Sequence, residues 1–268
     1  MFTRKVKITQ IRGDERKIID DVVLIEVPIE ITINFKPFAT IICLPKNLKE
    51  LAVGFLYFTE IIKTIDDIEE LEINENNSQI NIILKENNRI SQEAFSLNPL
   101  GRVVDTTSGI SPPWRKMIEE HLDSDKIASI LQNQLIVGAE TISNFISKMQ
   151  SETTLFKQTG GCHGCAIFAK NGKLLTLMED IGRHNAIDKA IGDLIFKKHP
   201  LKNVILCSTG RLTGDTVLKA VRAKIPIVAS VSTAIDSGIK LADVYGTTLI
   251  GFVREHRMNI YTHPFRIS

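Results

Sequence analysis

The apolar positions of this chain follow two patterns, and each predicts a different layer of structure. In the first hundred residues β-branched runs dominate. Val22 to Val27 and Ile29 to Phe35, split at Pro28, read as strands, with Ala39 to Cys43 as a third. Leu51, Ala52, Phe55, Leu56 and Thr59 then share one face of a helix predicted over Leu48 to Ile62. Two more strands, Glu69 to Ile73 and Gln79 to Leu84, flank the turn-rich Asn74 to Ser78. Between about Gln92 and Asn133 no period is visible and Pro99, Pro112 and Pro113 interrupt the chain, as in a connection between domains.

Beyond that stretch strands and helices alternate. Val137 to Met149 is a predicted helix, and Ala166–Ala169 with Leu174–Met178 a hairpin about Asn171-Gly172, a pair suited to a type I′ turn. His184 to Lys198 carries Ile187, Ala190, Ile191, Leu194 and Ile195 at helical spacing. Val204–Cys207, Ile227–Val231 and Thr248–Val253 read as buried strands, separated by helices over Asp215–Lys224 and from a Thr233 cap to Val244. Thr233 with Asp236 has the form of a capping box, and Gly246 suits the residue after a helix end. This alternation predicts an α/β domain over 136–268, a mixed or parallel sheet with helices on both faces. A smaller strand-rich α+β domain over 1–100 and a connecting region over 101–135 precede it.

Composition narrows the function classes. The 268 residues carry a formal net charge of +2, which argues against a general nucleic-acid binder. No apolar run is long enough to cross a bilayer, and the basic start Met1–Lys7 has no apolar stretch behind it, so the expected location is the cytoplasm. The four cysteines, Cys43, Cys162, Cys165 and Cys207, are too scattered for a disulfide framework.

The chemistry concentrates in four stretches. Gly160-Gly161-Cys162-His163-Gly164-Cys165 places two thiols beside an imidazole on flexible backbone. The bland alternative is a pair of small buried thiols in a glycine turn. Neither a thioredoxin motif nor a zinc knuckle fits, because a strand follows Cys165 and further ligands are lacking, so no metal is expected. Glu179-Asp180-Ile181-Gly182-Arg183-His184-Asn185 ends a strand and opens a helix, where anions bind well. Ser208-Thr209-Gly210-Arg211 repeats that arrangement without a P-loop signature. Phe252-Val253-Arg254-Glu255-His256-Arg257 supplies two guanidinium groups after the last predicted strand.

Together with Thr159-Gly160-Gly161, the run Glu179 to Lys189 and Tyr261-Thr262-His263-Pro264, these stretches resemble the formate dehydrogenase accessory protein family, the FdhD sulfur carriers. The resemblance implies a cytidine-deaminase-like second domain in a homodimer. It also implies a sulfurtransferase role: persulfide sulfur passes from a cysteine desulfurase to the bis(molybdopterin guanine dinucleotide) cofactor of a formate dehydrogenase catalytic subunit. Phe252 to Arg257 corresponds to the family's guanine dinucleotide site, with Asp180, Arg183, His184, Gly210 and Arg211 beside it, so guanine nucleotides should act as partial mimics.

One departure matters. The family's sulfur-carrying Cys-x-x-Cys lies in an upstream loop, and here that loop reads Thr106-Thr107-Ser108-Gly109-Ile110-Ser111. A serine hydroxyl cannot carry a persulfide. Sulfur carriage is therefore expected to have moved to Cys162 and Cys165, with His163 tuning the thiolate. The competing reading is a cofactor-binding chaperone without sulfur chemistry. A zinc deaminase is a poor third, since His184-Asn185-Ala186 lacks the glutamate and Ser208–Arg211 the cysteines.

Overall fold

The computed structural model describes residues 2–74, 78–85, 103–104 and 130–268. Its first element is an antiparallel ribbon of β1 (Thr3–Arg12) and β2 (Glu15–Leu24), paired from Thr3↔Leu24 to Arg12↔Glu15. The strand expected over Val22 to Val27 catches only the end of this ribbon, because nine of its twenty strand residues are charged and break the apolar pattern. A five-stranded sheet follows in the order β5-β6-β3-β4-β7, from β3 (Val27–Ile33), β4 (Lys36–Cys43), β5 (Ile68–Asn74), β6 (Gln79–Leu84) and β7 (Val103–Val104). Pro28 is tolerated inside β3 because pairing with β6 begins only at Glu30, so no neighbour on that side asks for its missing N–H. The strand expected to run to Phe35 stops at Ile33, since Asn34 and Phe35 both take positive φ (48° and 65°) to form the hairpin turn. α1 (Leu48–Phe58) is shorter than expected: Glu60 turns left-handed at φ 60°.

The second sheet has six strands in the order β13-β12-β11-β10-β8-β9. They are β8 (His163–Ala169), β9 (Leu174–Asp180), β10 (Val204–Ser208), β11 (Ile227–Ser230), β12 (Thr248–Arg254) and β13 (Arg257–Thr262). β10, β11 and β12 run parallel, and the outer pairings are antiparallel. Side chains alternate between two cores. Cys165 and Ile167 join the core shared with α4 (Arg183–Phe196) and α5 (Gly214–Arg222), whereas Ala166 and Phe168 pack under α2 (Ala139–Glu152). Helices therefore cover both faces of a mixed sheet. α6 (Asp236–Tyr245) ends at Gly246 with φ 77°, as the sequence suggests, but Ile235 precedes it and Thr233 caps nothing. The β8–β9 turn also differs from expectation. Only Gly172 has positive φ (87°), and Gly172 N donates to Ala169 O, which describes a type I turn closed by a left-handed glycine.

The two sheets are welded through α1 and α4, whose core residues form one continuous cluster with both. The helices cross at glycines. A Cβ on Gly54 would lie 1.9 Å from Asp188 O, and one on Gly192 would lie 1.9 Å from Glu50 O. No side chain fits there, so α1 seats directly on α4 and fixes the start of α4 beside the end of β4.

Candidate functional site

Three of the sequence motifs meet at one end of the second sheet. β8 begins at His163, two residues earlier in the sheet than Cys165, so Cys165 is a strand-interior residue opposite Met178 and Ser208. Its thiol is wholly buried in the core facing α4, and burial holds its pKa well above the ordinary value. Cys162 lies just outside the strand in a separate small cluster with Leu44 and Leu155, flanked by Phe2, Leu24 and Ile181. The expectation of a reachable Cys162/Cys165 pair is therefore corrected: strand alternation sends the two thiols into different cores. Cys43 and Cys207 are also fully buried.

Cys162 is 5% exposed and lines a cavity of about 340 Å³ with His163, Thr209, Gly160, Gly161 and Gln150. Its Sγ lies 3.6 Å from Glu179 Oε1. Burial, then the Glu179 charge, push this thiol up to about 12, against a smaller downward pull from Lys46. Glu179 is itself held by the first turn of α3 (Thr154–Thr159), accepting the amides of Thr154, Leu155 and Phe156 at 2.9–3.1 Å. One carboxylate thus anchors α3 and holds the thiol proton.

His163 Nδ1 lies 3.1 Å from Thr209 Oγ1, which accepts the Gly164 amide at 3.0 Å. Burial and the nearby Arg183 and Arg211 charges lower the His163 pKa, with Asp180 opposing, so the ring is neutral at neutral pH. Loop Ser208–Arg211 rests directly on the α4 start: a Cβ at Gly210 would sit 2.7 Å from Arg183 Cβ. His184 is buried at the same helix start, and Arg211 is exposed. Asp180 departs from its expected ligand role. It is fully buried, with Oδ1 accepting Gly182 N and Asn185 Nδ2, and Oδ2 accepting Leu44 N and Lys189 Nζ at 2.6 Å. Both oxygens are engaged within the fold, so Asp180 braces the site from behind.

The C-terminal motif forms the other half. β12 carries a bulge in which Phe252 takes φ 51°, and its amide donates to Ser232 O at 2.8 Å. The chain then reverses through Glu255-His256 into β13. Val253, Arg254, Glu255, His256 and Arg257 line a cavity of about 650 Å³ whose far wall is Ser143, Ile146, Ser147 and Gln150 of α2. Gln150 borders both cavities. Arg254 Nη1 donates to Val231 O at 2.8 Å, and Val231 borders the smaller one. The two cavities adjoin along α2. Gln150 and Thr209 were not singled out in the sequence: an isolated glutamine on a helix carries no signal, whereas Thr209 lay inside a motif chosen for its glycine and arginine. The segment Thr106–Ser111 lies outside the described residues. Among those residues no group of three or more His, Cys, Asp or Glu side chains could hold a metal ion, and no helix is long and apolar enough to cross a membrane.

The FdhD/NarQ family model matches residues 24–268. A sulfur carrier protein FdhD from Sulfolobus acidocaldarius is 36% identical over 269 residues, covering all of both chains. One from Bacillus pumilus is 30% identical, covering 99% of this chain and 97% of its own. A crystal structure described as a formate dehydrogenase accessory protein from Desulfotalea psychrophila superposes with a TM-score of 0.77 at 27% identity, covering both chains completely. By sequence along nearly its whole length, and by fold, this chain belongs to the FdhD/NarQ family.

Proposed function

We propose that this protein is a sulfurtransferase that carries persulfide sulfur on Cys162, delivers it to the bis(molybdopterin guanine dinucleotide) cofactor of a formate dehydrogenase, and receives it from a cysteine desulfurase. The observation that carries this reading is the adjacency of two cavities along α2, one holding Cys162 and His163 and the other lined by Arg254 and Arg257. The larger has the volume of a nucleotide-sized site, and its guanidinium groups suit a diphosphate. A cofactor anchored there by its nucleotide would point its sulfur-bearing end along Gln150 toward Cys162. The six-stranded sheet with helices on both faces supports a cytidine-deaminase-like description of this half, acting in the cytoplasm as a homodimer.

The chemistry is thiol exchange. The Cys162 thiolate attacks the outer sulfur of a donor persulfide, the donor's S–S bond breaks, and the electron pair leaves on the donor cysteine as thiolate. Neutral His163 is positioned to relay a proton at the cavity mouth. Because a thiol held at about 12 is almost entirely protonated at neutral pH, transfer requires α3 to release Glu179 and admit the donor.

The second reading, a cofactor-binding chaperone without sulfur transfer, is favoured by that same suppressed thiol and by Ser108 and Ser111 in the upstream loop. Complementation separates the two. In cells lacking the accessory protein, Cys162→Ser should fail to restore formate dehydrogenase activity, and Cys165→Ser should restore it. Full restoration by Cys162→Ser favours the chaperone.

A further inference from the structure

The N-terminal ribbon takes no part in either cavity. The family model begins at residue 24, where β2 ends. Among the described residues β1 and β2 form a sheet of their own, with no third strand on either edge. A two-stranded ribbon is marginal in water without something packed against it. Here β2 lies toward α3 and Leu24 packs at the ribbon base, 3.4 Å from where a Cβ on Gly161 would stand. That leaves β1 as the outer edge, ten residues long.

The charge of that edge is one-sided. β1 carries Arg4, Lys5, Lys7 and Arg12 and no carboxylate, in a chain whose overall net charge is only +2. The acidic residues of the ribbon sit on β2 or in the turn. A second copy pairing β1 against β1 would bring four cations against four, and like charges across a ladder are destabilising. Lysines on an edge guard against such self-pairing. They do not guard against an extended acidic chain, which gains backbone hydrogen bonds and opposite charge together.

We propose that the outer edge of β1 takes up an extended acidic segment of a partner protein as a third strand. The base of the ribbon, through Phe2 and Leu24, forms part of the apolar cover over Cys162. A strand docked on β1 is therefore tethered beside the thiol. That the partner is one that delivers or collects sulfur rests on the Cys162 reading; the docking itself does not.

The test uses the full-length protein and two synthetic probes of β1's length, an alternating Glu-Val peptide and an alternating Lys-Val peptide, followed by fluorescence anisotropy. The Glu-Val peptide should bind, more weakly as salt rises, and the Lys-Val peptide should not. Hydrogen exchange should show the alternate β1 amides that face away from β2 becoming protected as the Glu-Val peptide binds. The variant R4E/K5E/K7E, its fold checked by circular dichroism, should lose at least about tenfold in affinity. Failure of the Glu-Val peptide to bind, equal binding of both peptides, or unchanged affinity in the variant overturns the proposal. So does protection, before peptide is added, of the alternate β1 amides that face away from β2, or self-association that the variant abolishes, since either shows the edge already covered. Sulfur transfer plays no part in these readouts, so failure here and failure of the Cys162 reading are separate results.

Discussion

At the scale of single residues, Glu179 sets the state of the Cys162 thiol. It accepts three backbone amides from the start of α3 and also faces the Cys162 thiol. Its negative charge is second only to burial in keeping that thiol protonated. Alkylation of Cys162 by iodoacetamide in the resting protein should therefore be far slower at pH 7–8 than that of free cysteine, and its rate should still be climbing above pH 9. Glu179→Gln removes the like charge and loosens α3, so the apparent pKa of Cys162 should fall by on the order of one unit and labelling at neutral pH should accelerate. Unchanged labelling in that variant would remove Glu179 from the account. The sequence singled out the glycine-flanked cysteines as the candidate for sulfur chemistry, but it could not show which thiol faces a cavity. That depends on β8 beginning at His163, which turns Cys165 into the core. Asp180 misled for a related reason: a carboxylate at a strand end looks the same whether it meets a ligand or, as here, Lys189 and Leu44 N.

At the scale of elements, two buried ion pairs sit along α4. Lys189 pairs with Asp180 at 2.6 Å, and Lys219 of α5 pairs with Asp188 at 2.6 Å while lying 3.8 Å from the centre of the Phe58 ring. Burial pushes Asp188 up to about 6 despite its partner. Such a pair costs desolvation that its own attraction only partly offsets, and removing one member strands the other. Asp188→Leu or Lys219→Met alone should each destabilise by about 3–5 kcal/mol in urea unfolding, whereas the double replacement should come within about 1 kcal/mol of the parent. Additive losses would mean that the pair is not coupled. The helices and strands of this half were readable in order because their apolar periods are strong. The short α3 was not, since six residues hold too little period and its stability comes from Glu179, far along the chain. β13 was hidden too, because an edge strand with exposed Arg257, Asn259 and Ile260 lacks a clean alternation.

At the scale of the whole molecule, α1 against α4 joins the two sheets, and α2 joins the thiol cavity to the arginine-lined one. If that second cavity takes the nucleotide end of the cofactor, calorimetry should detect GDP binding that weakens with salt. The double variant Arg254→Ala, Arg257→Ala should lose at least about tenfold in affinity, because charge-assisted hydrogen bonds to phosphate are the stronger kind. Undiminished binding would place the nucleotide elsewhere. The central claim is that sulfur travels on Cys162, and its most direct test is mass spectrometry of the protein after incubation with a cysteine desulfurase and cysteine. The account predicts a peptide containing Cys162 heavier by one sulfur atom, with the gain reversed by a thiol reductant, retained in Cys165→Ser and absent in Cys162→Ser. An unmodified Cys162 beside an active desulfurase, or an undiminished adduct in Cys162→Ser, would contradict it.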